Sequence, residues 1–378
     1  ATYEQPPSRH RNLLRPLNPH ECKNDKVKRL YPLLLLLIVP CLMFPGALPG
    51  PEIVSADDHL SVHHAFQTEA GGRVRHPHLS DPALQFKALR GAIRSAISAG
   101  EPPLWNPDIW AGAPLLGNAQ SMVGSPVTWL HLIGGEDHGP DMAVTWLLLW
   151  MGMGSALLVG SLGGGPWGMA MAGAGAMTSP YLSVWLLHPH GATIVWLPWL
   201  LLAMERRSQW GIAIATAGLL MGGHPQTAIH VLGITAGWWA WRIRTWTSIA
   251  SIGIGGLLAA PVLAPFAEEV LRSATLSHHG GGTLEPQQIL DLLWPHWNGH
   301  PATESWTRHH LSWADGRLHP GLGVLALALL AIFQRQPLAR GIFVLWGLCV
   351  LFSIVGLPGP IKHARLASIG ATLLAILA

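Results

Sequence analysis

Charge is what this sequence has least of: Asp, Glu, Lys and Arg make up 11% of 378 residues, against 49% for the apolar set. A soluble globular chain carries roughly 25% charged residues, so the deficit argues against a water-soluble fold. Cysteine is scarce too. Its three copies stand apart, Cys22 in a basic head and Cys41 and Cys349 inside apolar runs, which excludes a disulfide framework and a cysteine metal site. The net charge of +3 is small, and nothing in it points to nucleic acid as a partner. A nucleotide cradle is missing as well: the glycine-rich Gly160 to Gly168 lacks the terminal Lys-Ser/Thr and reads as a tight connection between two apolar runs.

What the chain has in abundance is long apolar segments. Crossing the hydrocarbon of a bilayer takes about 20 mostly apolar residues in a helix, because unpaired backbone groups cannot face lipid. About ten segments qualify on that basis: Leu30 to Leu48, Met142 to Leu162, Trp167 to Leu187, Thr193 to Met204, Trp210 to Gly222, Gln226 to Trp241, Ser248 to Phe266, Gly321 to Phe333, Gly341 to Val355 and Leu366 to Ala378. The fold class expected is all-α, a polytopic transmembrane bundle over 30–378. The first run reads as an anchor that stays, not a cleaved signal, since no small-residue cleavage site follows it. The chain stops within the apolar LLAILA, as a piece of something longer would.

Positive charge in short loops sets orientation. The head, residues 1–29, is basic and is expected in the cytoplasm. Alternation then places Glu205-Arg206-Arg207, Arg242-Ile243-Arg244 and Arg335 to Arg340 on the same side. Two long polar segments, 49–141 and 267–320, fall outside, with the short turns His188 to Gly191 and Gly222 to Pro225. In the first of these, Ala83 to Ala99 sets Leu84, Leu89, Ile93 and Ile97 near one helical face, with Lys87, Arg90 and Arg94 elsewhere, the pattern of an interfacial amphipathic helix. The following GEPPLWNPDIWAGAPLLGNAQS is rich in Gly, Pro and Trp and reads as an ordered loop. Trp196, Trp199, Trp238, Trp239 and Trp241 read as interfacial belts.

Asp57 and Asp58 follow the first run, where a carboxylate can act as a base or hold a divalent ion such as Mg or Mn; a simply solvated pair is the plainer alternative. Asp81 precedes the amphipathic helix and fits a catalytic carboxylate or an N-cap. Glu268 and Glu269 could complete an acidic site or end a helix. Histidine is over-used, at 21 copies. Pairs such as His76/His78 and His188/His190 could bind zinc or copper, but no flanking carboxylate pattern supports it, and the metal question stays open. His188, His190 and His224 fit better as hydrogen-bonding groups at helix ends facing a cavity, or as caps. Gln226 joins them as a candidate substrate-binding residue.

LSDPALQFKALRGAIRSAISAGEPPLWNPDIWAGAPLLGNAQS resembles the first outer loop of the bacterial YfhO family, and GGHPQTAIHVL, LEPQQILDLLWPHWNG and HPGLGVLALALLAI extend the likeness over most of the chain from Asp57 onward. That family is similar to the GT-C membrane glycosyltransferases. The resemblance implies a bacterial inner-membrane enzyme using a polyprenyl-phosphate sugar donor, with a catalytic carboxylate at Asp57 or Asp58 and Asp81 as rival. Arg73, Arg75, Lys87 or Arg272 would neutralise the departing phosphate. The alternative is a non-catalytic membrane subunit or scaffold of a larger membrane complex. A transporter is disfavoured, because no apolar run carries a charge at mid-depth.

Overall fold

The computed structural model describes residues 30–48, 50–62, 74, 79–109, 111–274, 282–303, 305, 313–333, 336–356 and 361–377. The basic head, Arg73, Arg75, His76 and His78 lie outside them. The described chain is mostly helical. In order run α1 Leu30–Met43, α2 Lys87–Ser98, α3 Pro126–Ser161, α4 Pro166–Met177, α5 Pro180–Val184, α6 Pro189–Ile194 and α7 Leu197–Glu205. Then come α8 Gln209–Leu220, α9 Pro225–Trp238, α10 Trp246–Leu258, α11 Ala260–Arg272, α12 Leu322–Phe333, α13 Pro337–Val355 and α14 Ala364–Leu377.

Every apolar run contains a helix, but the expected count of about ten full spans is not met. Two helices, α3 and α13, are long and apolar enough to cross a membrane, and α10 with α11 would make a third if a 74° bend is one broken span. Proline is the reason. It fixes φ, cannot donate its backbone amide and disfavours helix in the residue before it. Pro180, Pro189, Pro198 and Pro225 each stand in the first turn of a helix, so the runs are cut into pieces. At 12 residues, α4, α8 and α12 are each about 18 Å long, against about 30 Å of hydrocarbon.

Helix α7, apolar on every side, is buried from Leu197 to Met204 except for half-buried Trp199, and forms the centre of the bundle. Around it pack α3, α8 and α9, with α4 on α3 and α14 on α4 and α13. Helices α3 and α4 meet backbone to backbone at Gly152 and Gly173: a Cβ on Gly173 would lie 3.0 Å from the Gly152 carbonyl oxygen. Small residues are what permit that approach. Trp196 and Trp238 are core residues, not belt residues, and Trp199 is only half exposed, its Nε1 donating to the Trp150 carbonyl at 2.9 Å. Trp241 is exposed, and the three most exposed tryptophans among the described residues, Trp167, Trp210 and Trp246, each stand in the first turn of a helix.

The loop after α2 contains a short antiparallel pair, Trp105–Asn106 with Ala113–Pro114, where the sequence suggested no strand. Leu115, fully buried, fixes it by donating its amide to the Leu104 carbonyl. In α2, Leu89 and Ile93 face inward with Phe86 just before it, whereas Leu84 and Ile97 are exposed. A five-residue π-helical turn at Pro82–Phe86 shifts the phase of the face, which a single 3.6-residue period misses.

Helix α3 is interrupted at Gly135, whose φ of 71° and ψ of −164° are open only to glycine. A Cβ there would meet nothing within 4 Å, so its cost is conformational alone. Gly135→Ala is expected to lower stability by about 1–3 kcal/mol, and Gly91→Ala, on the exposed face of α2, to raise it by about 0.5–1 kcal/mol. Denaturant unfolding of the two variants checks both signs.

Candidate functional site

The break at Gly135 sets Glu136 opposite α2. There Lys87, Arg90 and Arg94 recur at three- and four-residue spacing and share one face. Arg94 Nη1 pairs with Glu136 Oε1 at 2.8 Å. Lys87 Nζ pairs with Asp57 Oδ2 at 2.9 Å, both side chains about two-fifths exposed. Asp57 opens a short 3₁₀ turn, Asp57–Val62, and the strand of chain before it is tied down by the Val54 amide, which donates to Asp141 Oδ1 at 2.9 Å.

Between these pieces lies a cleft of about 90 Å³ lined by Asp57, Lys87, Arg90, Arg94, His131 and Glu136. Three cations face two carboxylates. The middle cation, Arg90, makes no direct hydrogen bond or ion pair among the described residues. Burial lowers its pKa, and Glu136 and Asp57 offset this only in part. The cleft therefore carries a surplus positive charge beside a carboxylate.

Of the three candidate carboxylates only Asp57 lines this cleft. Asp58 is half-buried in the same turn but does not line it. Asp81 is exposed at the start of the π-helical turn, and its side chain caps nothing. Glu268 pairs with Arg272 one turn away on an exposed face of α11. Lys87 is therefore the expected phosphate partner found in the cleft, whereas Arg272 stands on that exposed face and Arg73 and Arg75 lie outside the described residues. Arg90, Arg94, His131 and Glu136 were not singled out from sequence as site residues. The i, i+3, i+7 spacing of the three cations was the signal available.

His188, His190, His224 and Gln226 come together elsewhere, in a buried cluster. GGHPQT explains its shape. A Cβ at Gly222 would lie 2.6 Å from Thr193 Cα, so only glycine lets the two segments meet, and Gly223 takes a φ of 91°. His224 then caps α9, with Pro225 in the first turn. From the start of α14, Arg365 donates through Nε to Asp315 Oδ1 at 2.6 Å and through Nη1 to Gln226 Oε1 at 3.2 Å. Lys362 Nζ reaches Asp315 Oδ2 at 3.1 Å. Asp315, Arg365 and Lys362 are additions the sequence reading did not name.

His224 is engaged at both ring nitrogens. Arg365 Nη1 lies 3.2 Å from His224 Nε2, and a guanidinium can only donate. Nδ1 accepts the Thr227 amide at 3.1 Å as the helix cap and lies 2.8 Å from Thr227 Oγ1; that oxygen is in turn 2.5 Å from the Tyr181 hydroxyl. His190 stacks between His224 and Trp185 at ring separations of 3.5 and 4.0 Å. Burial and the Arg365 charge push His188 down to about 3, and the same two causes hold His224 well below the usual histidine range. These groups are neutral and packed ring against ring, with Arg365 bonded to His224 and Gln226, which suits them to holding three segments together.

Among the described residues no three His, Cys, Asp or Glu side chains converge to hold a metal ion. Comparison of the chain with family models, curated proteins and solved structures gave no match.

Removing one partner of a buried ion pair strands the other charge. Asp315→Asn is expected to cost about 3–5 kcal/mol, and the double change Asp315→Leu with Arg365→Met to recover most of that loss. Unfolding of the two variants beside the parent protein measures both.

Proposed function

We propose that this chain is an integral membrane protein of the bacterial inner membrane, its helices forming a GT-C-like bundle. It transfers a sugar from a polyprenyl-phosphate donor to an extracytoplasmic acceptor. Membrane placement is supported by how charge and tryptophan fall at the helix ends. Arg242 pairs with Glu205 at 2.6 Å, joining the C-terminal ends of α7 and α9. Arg206 shares a groove with Leu30 and Ser161, the start of α1 and the end of α3. Exposed Trp167, Trp210 and Trp246 follow those same ends in sequence. A ring of arginine and exposed tryptophan is what a cytoplasmic interface requires.

The observation that carries the transferase reading is Asp57 in a cleft with Lys87, Arg90 and Arg94. Asp57 takes the proton of the acceptor hydroxyl, the hydroxyl oxygen bonds to the anomeric carbon, and the bond from that carbon to the phosphate oxygen breaks with its electron pair. The anionic leaving group is stabilised by the neighbouring cations. A single displacement inverts the anomeric centre. The likeness of the outer loop to the YfhO family supports the same assignment.

The second reading, a non-catalytic subunit of a larger complex, is favoured by the apolar flank of α12 and α13, where Phe333, Val344, Leu351 and Val355 are exposed. Lipid would cover it equally well.

The test is transfer from a panel of polyprenyl-phosphate sugars by the protein in membranes. Asp57→Asn is expected to reduce turnover by about 10²- to 10⁴-fold, while Asp81→Asn, outside the cleft, leaves it near the parent value. Undiminished transfer in Asp57→Asn and in Asp58→Asn would overturn the assignment.

A further inference from the structure

We propose that Arg90 anchors a phosphate-type oxyanion in the cleft and that Lys87 leaves Asp57 to join it there. The inference deepens the transferase reading and rests on it for the identity of the donor. Its geometry is independent of any turnover.

Three cations stand in register on one face of α2. The outer two are engaged, Lys87 with Asp57 and Arg94 with Glu136. Arg90 between them is half-buried and unpartnered among the described residues. A guanidinium offers five donors in a planar fork that matches two oxygens of a phosphate. Arg90 keeps its guanidinium at the open cleft with no protein partner among the described residues, a placement in which a ligand can supply the missing charge. The space it faces is about 90 Å³ and is bordered by Ile53 to Ala56, so an oxyanion can enter without displacing a core side chain.

Lys87 is the member that neighbours the proposed base. Its ion pair with Asp57 and that of Arg94 with Glu136 are both partly exposed surface pairs, and only the release of Lys87 frees the proposed base. An oxyanion on Arg90 adds negative charge close to the Lys87–Asp57 pair and competes for the ammonium. Asp57 is thereby ion-paired while the cleft is empty and becomes an available base once a phosphate group occupies it. A donor would then prepare its own catalyst.

The experiment compares the full chain with Arg90→Gln and Lys87→Gln, in detergent with inorganic phosphate against chloride, and in nanodiscs with and without polyprenyl phosphate. Phosphate or the lipid is expected to raise the melting temperature of the parent protein. Arg90→Gln should melt at or above the ligand-free parent, because an unpaired charge has been removed. It should also bind the anion about tenfold more weakly, or worse. Lys87→Gln should weaken binding by a smaller factor.

A response to inorganic phosphate identifies a free anion as sufficient, and a response confined to polyprenyl phosphate identifies a lipid headgroup. An unresponsive parent protein, or an undiminished response in Arg90→Gln, overturns the proposal. Arg90-dependent binding without sugar transfer sustains it and removes the transferase reading. Transfer that persists in Arg90→Gln with unchanged KM does the reverse.

Discussion

One buried carboxylate holds one end of the bundle. Asp315, 1% exposed, takes both Arg365 and Lys362 from the segment that opens α14. Arg365 in turn spans to Gln226 and His224 at the start of α9. Segments 141 residues apart in sequence, at 224 and 365, are thus joined through a single guanidinium. In an environment of low dielectric, such a charge pair is worth keeping only when its remaining donors and acceptors are also satisfied. The cap at His224, the Thr227 hydroxyl and the Tyr181 hydroxyl meet part of that demand. A second buried pair, Arg317 with Asp291 at 3.0 Å, anchors the adjacent loop, and the Asp291 carboxylate also accepts the His296 and Leu318 amides.

The two polar ensembles of this protein differ in kind. The histidine cluster is closed, with His224 held between Arg365 and Thr227. Neither nitrogen of His224 is left for a substrate. The cleft at Asp57 is open to water, surplus in positive charge and bordered by side chains that can move. Chemistry needs the second sort of place. Closeness links the two, since Phe86 packs its edge against His188 with ring centres 5.5 Å apart, and Leu187 lines the cleft.

Much of the helical plan was legible, because apolar runs of this length have few other outcomes, and every run does contain a helix. Their lengths were not, since hydropathy averages across a proline that the backbone cannot ignore. Asp57 was legible as a carboxylate beside the first run, but its standing above Asp58 and Asp81 was not: that depends on the Gly135 break, which brings Glu136 and His131 to the same cleft from 80 residues away. The histidine turns were seen as helix ends. What turned them inward was Arg365, whose position in sequence, one residue before an apolar run, looks like a flank. Tertiary proximity has no signature in a single sequence when the partners carry no shared period.

The short apolar flank of the proposed bundle also acts on its surroundings. Exposed apolar side chains on α12 run from Leu322 to Phe333, a band of about 18 Å, beside α13 at about 28 Å. Lipid tails meeting that face are mismatched to it by about 10 Å of hydrocarbon thickness. A bilayer responds by thinning, which draws its two headgroup planes together along one side of the protein. On the proposed membrane reading, membrane shape would be part of what this fold specifies, and the lipids along that edge would differ in packing from those around α13.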